Sequence, residues 1–354
     1  MSAFEMLQAA RTALLHSFTS AGAGCGAVAM ALLWSFAATA EPIQLKFAFF
    51  PSEKTVIYDS AVKPLVDAVN SEGKGIVAIE VYPDGKLGKA VAEQPGLVLD
   101  GVADIAWVVP GQTPYRFPDN ELFELPGHFR DAREGTLVYT RLIAANALRG
   151  YKDFFVIGAF TSDPTLIHSR KPIESLASLK GQKIRANNAM EAEALERFGA
   201  TPTVLPASQM AAAVGRGAID GAALSPTALF DFSVAPVAKN HYLLHGGAAP
   251  LVMVMNRKKF DGLPEAAKAL IRKYGGERAA ATWIGSWGAG EREYLVRIKS
   301  DPERKVVEPS ASDLEAAQQT YRALSDVWAN KSPRNRALLA MIEAELATIR
   351  KSTR

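Results

Sequence analysis

The sequence predicts a two-lobed α/β protein, each lobe a central sheet flanked by helices, with one long helix bracing both lobes. Three observations carry this reading. Period-two and period-3.6 apolar patterns alternate along the chain, a short Gly-x-x-Asp-x-Ala pattern occurs once in each half, and a helix-compatible run extends from Pro264 to about Lys299. The 354 residues, 48% apolar and 22% charged, suffice for a sizeable core and, at ordinary domain sizes, for two lobes.

Ile43, Leu45, Phe47 and Phe49 alternate with their neighbours as in a strand. Val62, Leu65, Val66 and Val69 then fall at helical spacing, and Ile76 to Tyr82 reads as a second strand. Strand, helix, strand predicts a sheet with helices on its faces, because a crossover helix is the usual return to a parallel neighbour. The segment Gly101-Val102-Ala103-Asp104-Ile105-Ala106 resembles Gly217-Ala218-Ile219-Asp220-Gly221-Ala222. In each, glycine can end a helix in the left-handed conformation and aspartate can hold the turn before a short strand.

The second lobe reads as strands over Thr165–Ser169, Gln182–Ala186 and Thr203–Leu205, helices over Glu191–Phe198 and Ala207–Gly215, and a strand after Asp220. Pro250–Asn256 is a strand returning the chain to the first lobe. The run from Pro264 would be roughly 50 Å long if continuous at 1.5 Å per residue, with Gly275-Gly276 and Gly285 as places where it can bend or break. Two closing helices are expected over Asp313–Asn330, capped by Ser312, and Pro333–Arg350. The predicted boundaries are 1–40 for a leader, 41–162 for lobe I, 163–250 for lobe II, 251–290 for the return to lobe I and the start of the long helix, and 291–354 for C-terminal helices on lobe II and across both lobes.

The leader rests on the uncharged apolar run from Cys25 to Ala37, preceded by Arg11 and followed by Ala38-Thr39-Ala40, a small-residue cleavage pattern. The run is short for a membrane span. An uncleaved anchor or a buried helix is the alternative, but the abrupt change to a strand pattern favours removal near Ala40 and export to the periplasm. Cys25 precedes the run and lacks a leucine three places earlier, which argues against a lipid anchor. The mature chain then has no cysteine, hence no disulfide, thiolate metal site or thiol nucleophile.

With 40 basic and 37 acidic residues spread along the chain and a net charge of +3, there is no single-sign stripe for nucleic acid. No HExxH, GxSxG or phosphate-loop pattern occurs. His241 and His245 would share a face on a helix, as zinc ligands do, but Tyr242-Leu243-Leu244 looks like a strand and no third ligand is near. No metal and no cofactor are expected. Leu179-Lys180-Gly181-Gln182-Lys183-Ile184-Arg185 is more informative: a turn glycine precedes a short strand whose end presents an arginine. Ligands of open α/β sheets gather at the carboxyl ends of strands, and a guanidinium matches a carboxylate in a bidentate pair. A surface salt bridge is the plainer reading of a lone arginine.

With these residues placed, the mature chain resembles the periplasmic solute-binding subunits of tripartite ATP-independent periplasmic (TRAP) transporters, the DctP-type family. The resemblance runs through Val81-Tyr82-Pro83-Asp84-Gly85-Lys86-Leu87-Gly88, Gly101 to Trp107, Arg116-Phe117-Pro118, Phe123-Glu124-Leu125-Pro126, Leu179 to Arg185, Phe198-Gly199-Ala200-Thr201-Pro202, Gly217 to Gly221 and Met255 to Pro264. It implies a two-lobed periplasmic-binding-protein fold that closes on an organic acid and delivers it to a permease of one small and one large membrane subunit, without being membrane-embedded itself. It also implies that Arg185 binds the substrate carboxylate and that the cleft is lined near Phe49, Trp107 to Arg116, Thr165, Ala207, Ser225 and Pro226. The expected state is a monomer and the expected activity is binding, with no catalysis.

The chain departs from sialic-acid binders of that family, which carry a second arginine where Thr165 stands, and an asparagine or tryptophan where Leu224-Ser225-Pro226 stands. Fewer charged groups point to a monocarboxylate, a hydroxy, keto or aromatic acid. Rival readings are the binding protein of an ATP-driven system, against which the long Pro264–Lys299 segment weighs, an exported hydrolase or lyase using carboxylates in the same cleft, and a partner of a membrane sensor.

Overall fold

Apolar alternation places the first strand, β1 (Ile43–Ala48), with Leu45, Phe47 and Ala48 inward. The chain continues through α1 (Lys63–Glu72), β2 (Val77–Tyr82), α2 (Gln94–Leu99), β3 (Ile105–Val108), α3 (Ala132–Ala144) and β4 (Phe154–Thr161). It then crosses to a second sheet through β5 (Leu166–Ser169), β6 (Lys183–Ala186), α4 (Ala189–Arg197), β7 (Thr201–Val204), α5 (Ala207–Gly215), β8 (Gly221–Leu224), α6 (Pro226–Asp231) and β9 (Asn240–Tyr242). β10 (Pro250–Asn256) returns to the first sheet, followed by α7 (Glu265–Tyr274), α8 (Gly276–Ser300), β11 (Lys305–Val307), α9 (Ala311–Asn330) and α10 (Pro333–Lys351). The computed structural model describes residues 41–352, so the expected leader and Cys25 lie outside the described residues.

The first sheet has the order β2-β1-β3-β10-β4, with β1 parallel to both neighbours and β10 antiparallel to β3 and β4. β10 has core on both faces, Leu251, Met253 and Met255 in one cluster and Val252 and Val254 in another, which is why its run Pro-Leu-Val-Met-Val-Met is buried throughout instead of alternating. The second sheet has the order β11-β9-β5-β8-β6-β7, with β6 parallel to β7 and β8. Two sheets flanked by helices are the predicted two-lobed architecture.

The repeated pattern is one device used twice. Gly101 (φ 74°) and Gly217 (φ 71°) are both left-handed. The Asp104 amide donates to Lys46 O (2.9 Å) while its carboxylate accepts from Lys46 N (2.8 Å). Asp220 repeats this on Lys183, at 2.7 and 2.9 Å. Each aspartate thus clamps the parallel strand beside the one it introduces.

The long segment is two helices. At Gly275 the backbone passes so close to Ile157 O and Ile271 O that a Cβ would lie 2.8–2.9 Å from each, and Gly276 turns left-handed at φ 55°. Gly285 is exposed and leaves α8 unbroken, so the brace is 25 residues, about 37 Å at 1.5 Å per residue. Its first half buries Trp283 and Trp287, stacked at 4.4 Å, in the lobe I core. Its second half stacks Tyr294 on Phe230 of lobe II at 4.4 Å and buries Ile298 there.

α9 begins one residue past Ser310, whose hydroxyl accepts from Asp313 N (3.1 Å); Ser310, and not the expected Ser312, is the cap, because it is the residue still in extended conformation. α9 runs from Ala317, Tyr321 and Leu324 in the lobe II core to Trp328 in lobe I, and α10 packs Leu338, Ile342, Leu346 and Ile349 on lobe I. No helix among the described residues is long and apolar enough to cross a membrane.

Candidate functional site

Arg185 stands one residue from the end of β6, between β7 and β8, with 2% of its surface exposed. The strand starts where it does because Gly181 (φ 75°) makes the turn and Asp220 takes the Lys183 amide. The guanidinium is held from three sides: Nε donates to Leu205 O (2.7 Å), Nη1 to Ala223 O (3.4 Å) and Nη2 to Asn187 Oδ1 (2.9 Å). A guanidinium has five N–H groups, so Nη1 and Nη2 each retain one with no partner among the described residues. Burial lowers the Arg185 pKa to about 10, against the opposing charge of Glu191, which leaves it protonated at neutral pH.

Glu191 is near but makes no ion pair with it. Its oxygens are taken by Thr165 Oγ1 and Asn187 N, both at 2.6 Å. Burial pushes its pKa up, and Arg185 together with these two hydrogen bonds pulls it back. Asn187 is then committed at every polar atom but one. Its Oδ1 serves Arg185, its backbone O accepts from Gln112 Nε2 (2.6 Å), and its Nδ2 is buried with no partner among the described residues.

These groups line a cavity of about 90 Å³ at the ends of the strands, between the lobes. Lobe I supplies Phe50, Ile57, Val91, Trp107 and Val109; lobe II supplies Thr165, Arg185, Asn187, Ala207 and Ser225; Trp287 comes from the brace. Of the residues expected at the cleft, Arg185, Trp107, Thr165, Ala207 and Ser225 meet at this cavity. Three lie elsewhere. Phe49 is fully buried in the lobe I core with its ring edge-on to Trp107 at 6.2 Å, and its neighbour Phe50 lines the cavity, since adjacent strand-end residues point to opposite faces.

Pro226 lines a separate cavity of about 390 Å³ with Asp163, His245 and Glu291. Arg116 does not line the cavity, and Asp119, three residues on, is buried and taken by Arg149 and Arg334, at 2.7 and 2.6 Å. Asn187 and Gln112 are the polar residues that the sequence reading missed. Asn187 lies two residues past Arg185, the spacing that keeps both on one face of an extended chain. Gln112 sits on a short helical turn with no periodic signal.

The lobes are joined by a narrow ribbon and touch across the cleft. Ser162 N donates to Ala249 O (3.0 Å), Thr165 N to Gly247 O (2.9 Å) and Gly246 N to Thr165 O (2.8 Å), so the two crossing segments pair with each other. Trp287 Nε1 ties the brace to this ribbon at Asp163 (3.0 Å). Across the cleft, besides the Gln112–Asn187 bond, Asp231 of lobe II accepts from the Val56 amide of lobe I at 3.0 and 3.2 Å. Burial pushes the Asp231 pKa up to about 7 against the pull of the Val56 and Ile57 amides.

His241 and His245 do not form a helical pair. His241 is in β9 with its Nδ1 2.7 Å from His168 Nδ1. Among the described residues no group of three or more His, Cys, Asp or Glu is placed to hold a metal ion.

Two α/β lobes on a paired hinge, with a buried cavity at the strand ends between them, define the class of two-lobed solute-binding proteins. Residues 47–331 match the model of bacterial extracellular solute-binding protein family 7, DctP, and the chain belongs to that family. The C4-dicarboxylate-binding periplasmic protein of Rhodobacter capsulatus is 26% identical over 263 residues, 71% of this chain and 76% of its own. A marine metagenome TRAP solute-binding protein from an unidentified microbe, specific for aromatic acid ligands and in complex with 3-hydroxybenzoate, superposes with a TM-score of 0.79 at 27% identity, covering 87% of this chain and 98% of that one. The TRAP solute-binding protein of Rhodoferax ferrireducens, with copurified benzoate, gives 0.78 at 25% identity over 88% of this chain and 100% of its own. The function is therefore that of a periplasmic TRAP solute-binding protein.

Proposed function

We propose that this chain captures a small monocarboxylate with an apolar, ring-sized body, pairs its carboxylate with Arg185 and Asn187, and delivers it unaltered, as a monomer, to the small and large membrane subunits of a TRAP permease. One observation carries the reading: a buried arginine with no ion-pair partner among the described residues keeps two free N–H groups beside the unpartnered Asn187 amide, at a cavity whose lobe I side is mostly apolar. A buried charge without a counter-ion is costly, and a ligand carboxylate supplies one. A second carboxylate on the ligand would meet Ile57, Val91 and Val109, which cannot compensate it. The aromatic acids bound by the two similar TRAP proteins fit this division.

The open clamp admits the acid, the carboxylate docks on lobe II, and closure brings the lobe I wall over its body and excludes water. Lower dielectric then strengthens the pair. Removing one partner of such a pair costs about 3–5 kcal/mol, or roughly two to three powers of ten in Kd.

The test is a thermal-shift screen over small carboxylates, followed by titration of the wild type and Arg185→Gln with the best ligand and recovery of that ligand after incubation. A melting-temperature rise confined to monocarboxylates, with weakening of about a hundredfold or more in the variant, is expected. Equal affinity in the two proteins would overturn the assignment of Arg185, and a chemically altered ligand would overturn the assignment as a binding protein.

A further inference from the structure

We propose that Trp107 reads a second oxygen on the ligand, so that the captured acid carries a hydroxyl or oxo group remote from its carboxylate. The inference rests on the carboxylate reading above and adds the group at the other end of the molecule.

The described chain has four tryptophans, and three of them use their indole N–H. Trp283 donates to Thr161 O (2.9 Å), Trp287 to Asp163 (3.0 Å) and Trp328 to Glu121 (3.1 Å). Trp107 Nε1 is buried and has no acceptor among the described residues. Buried donors left unpaired are rare in folded proteins, and each needs a cause.

The rings packed on Trp107 offer none. Phe160 stacks on it at 5.7 Å, Phe49 meets it edge-on at 6.2 Å and Trp283 lies at 5.9 Å, all of them rings. Trp107 also lines the cavity. The cavity is where an acceptor from outside the protein would meet it.

The chemistry of that acceptor is constrained. Indole N–H only donates, so its partner is an oxygen with a free lone pair, not an ammonium. Arg185 and Asn187 are on lobe II and Trp107 is on β3 of lobe I. With the carboxylate engaged on lobe II, the oxygen at Trp107 is a second one, and the ligand spans the cleft with an acceptor at each end. A site holding a desolvated donor discriminates against an analogue that lacks the matching oxygen, because binding that analogue leaves the donor unpaired. This assigns the ligand to hydroxy- or oxo-substituted small acids, with Trp107 as a specificity-determining residue.

The experiment uses matched pairs: benzoate against 3- and 4-hydroxybenzoate, phenylacetate against 3- and 4-hydroxyphenylacetate, and 3-phenylpropionate against 3-(4-hydroxyphenyl)propionate, titrated into the wild type and Trp107→Phe. At least one oxygenated acid should bind tenfold or more tightly than its partner, and Trp107→Phe should bring that ratio to within about twofold by weakening the oxygenated acid more than its parent. As a check that does not require the variant to bind, the indole N–H resonance of Trp107 in ¹⁵N-tryptophan-labelled wild type should move downfield with the oxygenated acid and not with its partner. No preference in any pair, an unchanged ratio in the variant, or equal weakening of both members would overturn the proposal while leaving Arg185 standing. Failure of all these acids to bind would instead remove the carboxylate reading itself.

Discussion

The two lobes are built alike at one point and differ at the next residues along. In lobe I the Asp104 clamp on Lys46 introduces β3, which carries Trp107 to the cavity; in lobe II the Asp220 clamp on Lys183 aligns β6, which carries Arg185 there. The backbone device is the same to within 0.2 Å in its hydrogen bonds. The chemistry it delivers is opposite, an apolar wall from one side and a fork of donors from the other. Closing the clamp therefore brings each end of an amphipathic acid to its own surface. Fold and specificity are separable here: the clamps set where the strands end, and a few side chains past them set what is bound.

Breaking the clamps tests how far that equivalence extends. The Asp220 side chain is 10% exposed and salt-bridged to Lys171 at 2.8 Å, while Asp104 is 19% exposed and salt-bridged to Lys259 at 3.0 Å. Asp220→Ala leaves a strand amide unpaired where water reaches it poorly, a cost of about 3 kcal/mol, and the more accessible Asp104→Ala should cost about 1–2 kcal/mol. Burial pushes the Asp220 carboxyl up, but the Lys171 ion pair and the Lys183 amide bring it below its ordinary value. Its contribution is thus present above about pH 4 and lost as the pH falls further. Urea unfolding of both variants at pH 7 decides the order; equal costs would mean that exposure does not distinguish the clamps.

The same residues show how much of the molecule the sequence carried. Period-two and period-3.6 patterns placed β1, α5 and β10 within a residue or two, since those segments have one buried face or are buried throughout. The repeat was visible because a clamp needs glycine and aspartate at fixed spacing. The arginine was visible because a strand end follows a turn glycine. What stayed hidden depends on tertiary contact. The break before α8 comes from the close approach of Ile157 O to Gly275, and the choice of Phe50 over Phe49 at the cavity turns on a single residue of register. The missing acceptor at Trp107 exists only once Phe49, Phe160 and Trp283 surround it.

Lobe II also holds a pair of histidines with no counterpart in lobe I, which gives the comparison a pH dependence. His168 Nε2 donates to Leu224 O (3.2 Å), and Arg304 Nη1 donates to His241 Nε2 (3.2 Å). The carbonyl can only accept and the guanidinium can only donate, so the 2.7 Å contact between the Nδ1 atoms is a hydrogen bond from His241 to His168, both neutral. A proton on His168 would set two donors face to face. Burial, followed by the charge of its partner, drives the His168 pKa well below the ordinary value, and burial with Arg304 and Lys239 brings His241 to about 3.

The unfolded chain takes up these protons below about pH 6.5 and the folded chain does not, so the contribution is complete above that pH and lost as it falls. Between pH 7 and pH 5 the wild type should lose about 2 kcal/mol more than His168→Gln. Buried acids with raised values, such as Asp231, act in the opposite sense in both proteins and cancel in the difference. Parallel stability curves for the two proteins over that range would remove the neutral pair.

The smallest effect expected is at the contact where the lobes meet beside the ligand. Gln112 Nε2 of lobe I donates to the Asn187 carbonyl of lobe II, while the Asn187 side chain faces Arg185. The bond exists only when the lobes are together, so it stabilises the closed clamp without selecting what is inside. Gln112→Ala should weaken every ligand by the same factor of roughly three to ten, the equivalent of about 1 kcal/mol, mainly through faster release. Stopped-flow dissociation of two acids of different size separates the alternatives. An equal acceleration for both places Gln112 with the hinge and the brace as part of the closing device. An effect on one acid alone would instead assign it to the lobe I wall, whose side chains choose the ligand.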